Sequence, residues 1–145
     1  MYIERVVARL VEQGVDPQEF QPCSEQEVQE LERQLERRLP LAYREFLLTM
    51  GHSAGEVFHP DDCFYEDLPK IQRLAAILLK PTGASLPDDA FVFLYAGYQF
   101  LFFRTSEGDD PPAYYYMEGD DLSSGFQQQY QHYTDFLMLA IEEHV

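Results

Sequence analysis

Three short runs of aromatic and β-branched residues constrain the fold of this chain more than any other feature. Phe91–Tyr95, Tyr98–Phe103 and Ala113–Met117 each have the length of one strand, and turn formers separate them. Ala96-Gly97 joins the first two as a tight hairpin. Pro111-Pro112 stiffens the approach to the third, and Glu118-Gly119-Asp120-Asp121 supplies the turn after it. Strands joined this closely pair antiparallel, so the runs predict a β-meander. They are apolar on both sides. Phe91, Phe93 and Tyr95 alternate with Val92 and Leu94, and Tyr114, Tyr115 and Tyr116 put rings on both faces. A sheet with one wet face would alternate more cleanly. Either helices cover both faces, or one face carries an aromatic patch that a partner covers.

The remaining apolar residues recur at helical spacing. Tyr2–Gln13 places Ile3, Val6, Val7, Leu10 and Val11 on one side, and Gly14 is a natural stop. Val15–Cys23, with Pro17 and Pro22, reads as a loop. Ser24-Glu25-Gln26-Glu27 has the form of a capping box and opens a helix that buries Val28, Leu31 and Leu35. Pro40 breaks the chain after Leu39. A third helix from Leu41 turns Tyr43, Phe46, Leu47 and Met50 inward and stops at Gly51. Gly51–Asp67 is rich in turn formers and predicts a loop with a short strand around Glu56–Phe58. Asp67 can cap a helix whose stripe is Leu68, Ile71, Leu74, Ala75 and Leu78, with Pro81 and Gly83 ending it. A last helix runs from Thr134 or Asp135 through Glu143, with Phe136, Leu137, Ala140 and Ile141 facing in. This order predicts an α+β fold in which N-terminal helices and a C-terminal helix pack on an antiparallel meander sheet. With 145 residues, no repeat and no linker, residues 1–145 are expected to form one domain.

Charge narrows the function classes. The formal net charge is −16, and it is unevenly placed: residues 1–50 carry ten acids and six bases, residues 51–145 sixteen acids and four bases. Such a field repels nucleic acid and anionic membranes and speeds encounter with a basic partner; acidity also keeps a protein soluble. Cys23 and Cys63 are too few for a disulfide scaffold and lack CxxC spacing. Glu4, Arg5, Arg9 and Glu12 interrupt the first apolar stretch, so no signal peptide is expected there, and no run is long enough to span a membrane. A cytoplasmic location is expected.

No catalytic constellation emerges. Cys23 has no histidine near it in sequence, His59 four residues before Cys63 belongs to no recognisable nucleophile motif, and neither a G-x-S-x-G elbow nor a Gly-rich phosphate loop occurs. Partners in a triad often meet only in the fold, so an enzyme stays open as a third reading. His52, His59, Asp61, Asp62 and Cys63 gather ligand types in one loop but without the paired spacing of zinc sites. Asp61-Asp62 and Glu107–Asp110 lack the alternating oxygen ligands of a calcium loop. No metal and no cofactor are expected.

Ordered pieces along the chain resemble the SUKH superfamily, the domain also found in yeast cell-wall assembly regulators. They are the Ser24-x-x-Glu27 helix start with Leu31-Glu32, Leu35 and Leu39-Pro40, and Tyr43-Arg44-Glu45-Phe46-Leu47 running into Gly51. Leu86-Pro87-Asp88-Asp89-Ala90-Phe91-Val92-Phe93 and Phe102-Phe103-Arg104 follow, then Asp109-Asp110-Pro111-Pro112-Ala113-Tyr114, and Phe136-Leu137 closes the pattern. The resemblance spans roughly residues 24–141, although Gly51-His52-Ser53-Ala54-Gly55 keeps only part of the Gly-rich turn common after the third helix. It implies binding without catalysis. Bacterial members are similar to immunity proteins that neutralise toxins, nucleases among them, and eukaryotic members resemble regulatory scaffolds. The expected function is therefore neutralisation of a basic, nuclease-like toxin, with a regulatory or scaffold module of the cell-wall type as the alternative.

Acidic turns supply the candidate partner contacts: Asp88 and Asp89, Glu107 with Asp109 and Asp110, and Glu118 with Asp120 and Asp121. In a meander the loop 105–112 and the turn 118–121 lie at opposite ends of the third strand, so these acids do not form one compact patch. Aspartate is also favoured in turns for local reasons.

Overall fold

A computed structural model describes residues 2–58 and 61–143. The chain runs through α1 (Glu4–Glu12), a 3-10 turn (Pro17–Glu19), β1 (Phe20–Gln21), α2 (Glu25–Leu35), α3 (Leu41–Met50) and β2 (Ser53–Ala54). A 3-10 turn (Tyr65–Asp67) then leads into α4 (Leu68–Leu79), and another (Lys80–Thr82) leaves it. β3 (Ala90–Ala96), β4 (Gln99–Arg104), β5 (Ala113–Met117), β6 (Gln127–Tyr130) and α5 (Tyr133–Glu143) complete the order. β3 to β6 form an antiparallel meander in chain order, and β1 pairs with β2 in a separate ladder. The fold is α+β, with the N-terminal helices and the C-terminal helix on the sheet, as the residue pattern predicts.

Local chemistry accounts for the helix ends. The Ser24 hydroxyl accepts the Glu27 N–H at 3.1 Å while the Glu27 carboxylate accepts the Ser24 N–H at 2.9 Å, so the capping box is complete. Asp67 stands at the start of α4 but makes no side-chain cap bond. The 3-10 turn before it feeds the chain directly into the helix, and the Asp67 carboxylate lies 3.9 Å from Lys70.

Four details of the strands differ from the expectation. Ala96 pairs with Gln99, so the hairpin turn is Gly97-Tyr98, with Gly97 at φ 65° as a glycine-first two-residue turn requires. Phe93 interrupts the register between Val92 and Leu94. Phe91 and Phe93 still share a face, each in ring contact with Phe103, but the bulge sends Tyr95 to the other side, opposite Phe100. The short strand after α3 is Ser53–Ala54 rather than Glu56–Phe58. Residues 55–58 turn instead, with Gly55 and Phe58 both at φ 70°, and Phe58 held against Phe46 and Phe64. β1, within the stretch read as a loop, and β6 escape the residue pattern altogether. Gln127-Gln128-Gln129 is an exposed edge with no apolar alternation to announce it.

Helices cover both faces of the sheet. On one side Tyr43 of α3, fully buried, meets Phe91, Phe103 and Tyr133 with ring centroids 5.2–5.4 Å apart, and Tyr133 and Phe136 of α5 close over Phe93. On the other side Phe100, Phe102 and Tyr116 are buried with Phe126, beside α4 and its buried Ile71, Ala75 and Leu79. The two-sided apolar pattern of the strands is therefore core, and no open aromatic face remains among the described residues. α4 also seals the outer edge of β3. The Gln72 amide donates to the Val92 carbonyl at 2.7 Å and accepts the Val92 N–H at 3.0 Å, while Asp62 and Tyr95 exchange backbone bonds at 3.1 and 2.9 Å. No helix among the described residues is long and apolar enough to cross a membrane.

Candidate functional site

The eight acids of the turns separate into two groups at opposite ends of β5. Asp88, Asp89, Glu107, Asp109 and Asp110 lie at the end where β3 begins and β5 is approached. Glu118, Asp120 and Asp121 lie at the far end. Their roles differ. Asp89 is buried: Arg104 Nε donates to its Oδ1 at 2.8 Å and the Ser106 hydroxyl to its Oδ2. Burial alone would raise its pKa, but the Ser106 and Arg104 bonds outweigh it and hold the carboxyl below its ordinary range. Asp110 serves the helix that follows β6. Its two oxygens accept the Thr134 N–H at 3.0 Å and the Thr134 hydroxyl at 2.5 Å, so a distant loop caps the start of α5.

The acids of the second group hold their own turn. Asp120 accepts the Met117 N–H at 3.0 Å, and Asp121 accepts the Ser123 N–H at 2.9 Å, a bond that lowers the Asp121 pKa. Glu107 accepts from the Tyr114 hydroxyl at 2.9 Å but stays exposed. Asp88, Asp109 and Glu118 are exposed. These last four present charge to solvent without capping a turn or a helix.

A second cluster was not legible in the sequence. The β1–β2 ladder folds residues 20–23 onto the end of α3: Cys23 N–H donates to the Leu47 carbonyl at 2.8 Å, and His52 N–H to the Gln21 carbonyl at 2.8 Å. Gly51 is required by proximity rather than by its backbone angle, φ −65°. A Cβ there would stand 2.4 Å from Cys23 Sγ and 2.6 Å from the Leu47 carbonyl oxygen. One turn into α2, Glu27 completes the group. Cys23 Sγ, a Glu27 carboxylate oxygen and a His52 ring nitrogen all lie within 4.8 Å of one another. His52 Nε2 is 2.9 Å from Glu27 Oε2, and its Nδ1 bonds Glu66 Oε1.

The electrostatics of this cluster follow from its carboxylates. The Glu27 bond, with Glu66 assisting against partial burial, raises the His52 pKa above 6.5. The Ser24 N–H and then His52 lower that of Glu27. Burial, reinforced by Glu27 and Glu66, pushes the Cys23 thiol up to about 12. A thiol so placed stays protonated at neutral pH, and the imidazole is engaged by carboxylates on both sides. The cluster is therefore poorly arranged for nucleophilic attack, although its three atom types suit a metal.

Among the described residues, the ligand types that the sequence gathers in the loop after α3 do not come together. Cys63 is buried in the core, Asp62 pairs with Lys70 at 3.1 Å and bridges to β3, and His52 belongs to the cluster above. His59 lies outside the described residues. Compared with known proteins, residues 22–138 match the model of the SMI1 / KNR4 family (SUKH-1), a stretch that holds both acidic groups and the Cys23–Glu27–His52 cluster. No curated protein matches the chain.

Proposed function

Because the chain belongs to the SMI1/KNR4 family (SUKH-1), whose domains are in general non-catalytic and serve immunity or regulation, we propose that it binds and neutralises a basic, nuclease-like toxin. The observation that carries this reading is the charge of the last part of the chain: residues 105–143 contain nine acids and no lysine or arginine. Among the described residues, the cations that form ion pairs do so with acids other than Asp88, Glu107, Asp109 and Glu118. Arg44 pairs with Glu25 and Glu32, Arg104 with Asp89, and Arg5 with Asp135. Asp88, Glu107, Asp109 and Glu118 are thus left to steer a cationic partner toward either end of β5 and to occupy its cleft. We assign no reaction and no nucleic-acid or membrane partner. Cytoplasmic residence accords with the two free thiols, Cys23 and Cys63.

The test uses the chain as bait in a lysate of its native host, beside a triple variant Asp88→Asn, Asp109→Asn, Glu118→Gln. These side chains cap neither a turn nor a helix, and Asp109→Asn keeps an oxygen for its side-chain bond with Tyr2, so the variant is expected to keep the fold. The expected result is a basic protein captured by the wild type, weakened about tenfold or more in the variant and by salt, whose expression arrests growth unless this chain is co-expressed. Equal recovery of a housekeeping complex by both baits, with no growth rescue, would make the protein a regulatory module and end the neutralisation reading.

A further inference from the structure

We propose that Cys23, Glu27 and His52 form a zinc-binding site, separate from the acidic ends of β5. Three features support it. The donor set is a thiol, an imidazole and a carboxylate, which suits zinc and not the all-oxygen preference of calcium or magnesium. The three atoms lie within 4.8 Å of one another, and ligands on a tetrahedral zinc stand about 3.2–3.8 Å apart, so closure needs shifts of under about 1 Å. The surroundings supply the outer contacts that such ligands need. His52 presents Nε2 to the site while Glu66 takes its Nδ1, the carboxylate–imidazole pairing that fixes a metal-binding histidine in orientation and tautomer. Glu27 is held similarly, because its Oε1 accepts the Ser24 N–H at 2.9 Å while both of its oxygens stand 2.9–3.0 Å from His52 Nε2.

Backbone bonds preset the site rather than leaving it to side-chain motion. Cys23 is anchored to Leu47 and His52 to Gln21, and Gly51 leaves the space that Sγ occupies. Cys23 is buried while His52 and Glu27 are partly exposed, so a metal reaches the thiol from the solvent side. On binding, the Cys23 thiol proton and the His52 Nε2 proton that bonds Glu27 both leave to solvent, and Cys23 Sγ, His52 Nε2 and Glu27 Oε2 become ligands. Thiolate, neutral imidazole and carboxylate together balance the two positive charges of zinc, and water takes the fourth position.

The experiment titrates zinc alone into the full chain after chelator treatment, and cobalt(II) in parallel as a spectroscopic probe. One equivalent of zinc should bind, and cobalt should give a thiolate-to-metal charge-transfer band in the wild type and in Cys63→Ser but not in Cys23→Ser. Glu66→Gln should keep the band and weaken affinity about ten- to a hundredfold, since it disturbs only the outer contact. Absence of the band in the wild type, or zinc affinity unchanged by Cys23→Ser, would overturn the proposal and leave metal on surface carboxylates only. The wild-type spectrum decides even if a variant folds poorly.

Discussion

Asp89 shows how an acid that reads as a binding residue can be spent on the fold. Its carboxylate is buried between Arg104 and Ser106, and its own carbonyl accepts the Thr105 N–H at 2.9 Å, so it ties the start of β3 to the segment leaving β4. Asp89→Asn is expected to cost about 1.5–3 kcal/mol near neutral pH, the range for hydrogen bonds to a charged group. Its folded-state pKa lies below the ordinary 3.8, so its contribution is present above that value and is lost as pH falls through the folded one. Urea unfolding of wild type and variant at neutral and acid pH checks this. The gap should shrink below pH 3.8, and a gap that persists unchanged into acid would show that charge is not its cause. The exposed Asp88 beside it has the same side chain and none of these bonds, a distinction set entirely by which way the chain turns.

At the scale of elements, Gln72 replaces a strand. Its amide satisfies both polar groups of Val92 on the outer edge of β3, so Gln72→Leu should leave a buried donor and acceptor unpaired and cost about 1–3 kcal/mol. Hydrogen exchange at the Val92 amide should quicken by more than exchange at Phe102 on the neighbouring strand, and equal effects at both would mean the edge is closed by other means. The elements that were legible in the residues share a property: each buries a stripe at a fixed period. The stripe of α3, with Tyr43, Phe46, Leu47 and Met50, and the capping box at Ser24 are of this kind. β6 was not, because Gln127, Gln128 and Gln129 face solvent and the strand owes its extended form to pairing with β5. The bulge at Phe93 shifts which residues share a face without changing composition, so Tyr95 was misassigned. The Cys23–Glu27–His52 cluster was hidden for another reason. Two-residue ladders such as β1–β2 carry too little pattern to reveal that residues 23 and 52 meet. Only Cys23 and Glu27, four apart at a helix start, offered a signal.

For the whole molecule, the −16 charge sets a background against which every ion pair acts. Surface pairs such as Arg9–Glu12 and Lys70–Asp62 are exposed and individually weak, so net repulsion should dominate the salt response. Raising sodium chloride from about 10 mM to about 150 mM is expected to lift the thermal midpoint by a few degrees, as screening shortens to about 8 Å. A falling midpoint, read by calorimetry, would show that the pairs outweigh the repulsion. Another property of the whole comes from the docking of α1 on α5, where Arg5 reaches Thr134 at 3.0 Å and Asp135 at 3.2 Å, and Arg9 lies 3.8 Å from Glu142. On the ribosome these partners are separated by time. At about 5–20 residues per second, α1 emerges on the order of ten seconds before the helix that receives it. Through that interval α1 lacks the contacts that Arg5 and Arg9 make with α5, and Tyr43 lacks the ring of Tyr133. The contacts that tie α1 and α3 to α5 can therefore form only once α5 has been made, and until then the apolar surface that α5 covers has to be shielded in some other way.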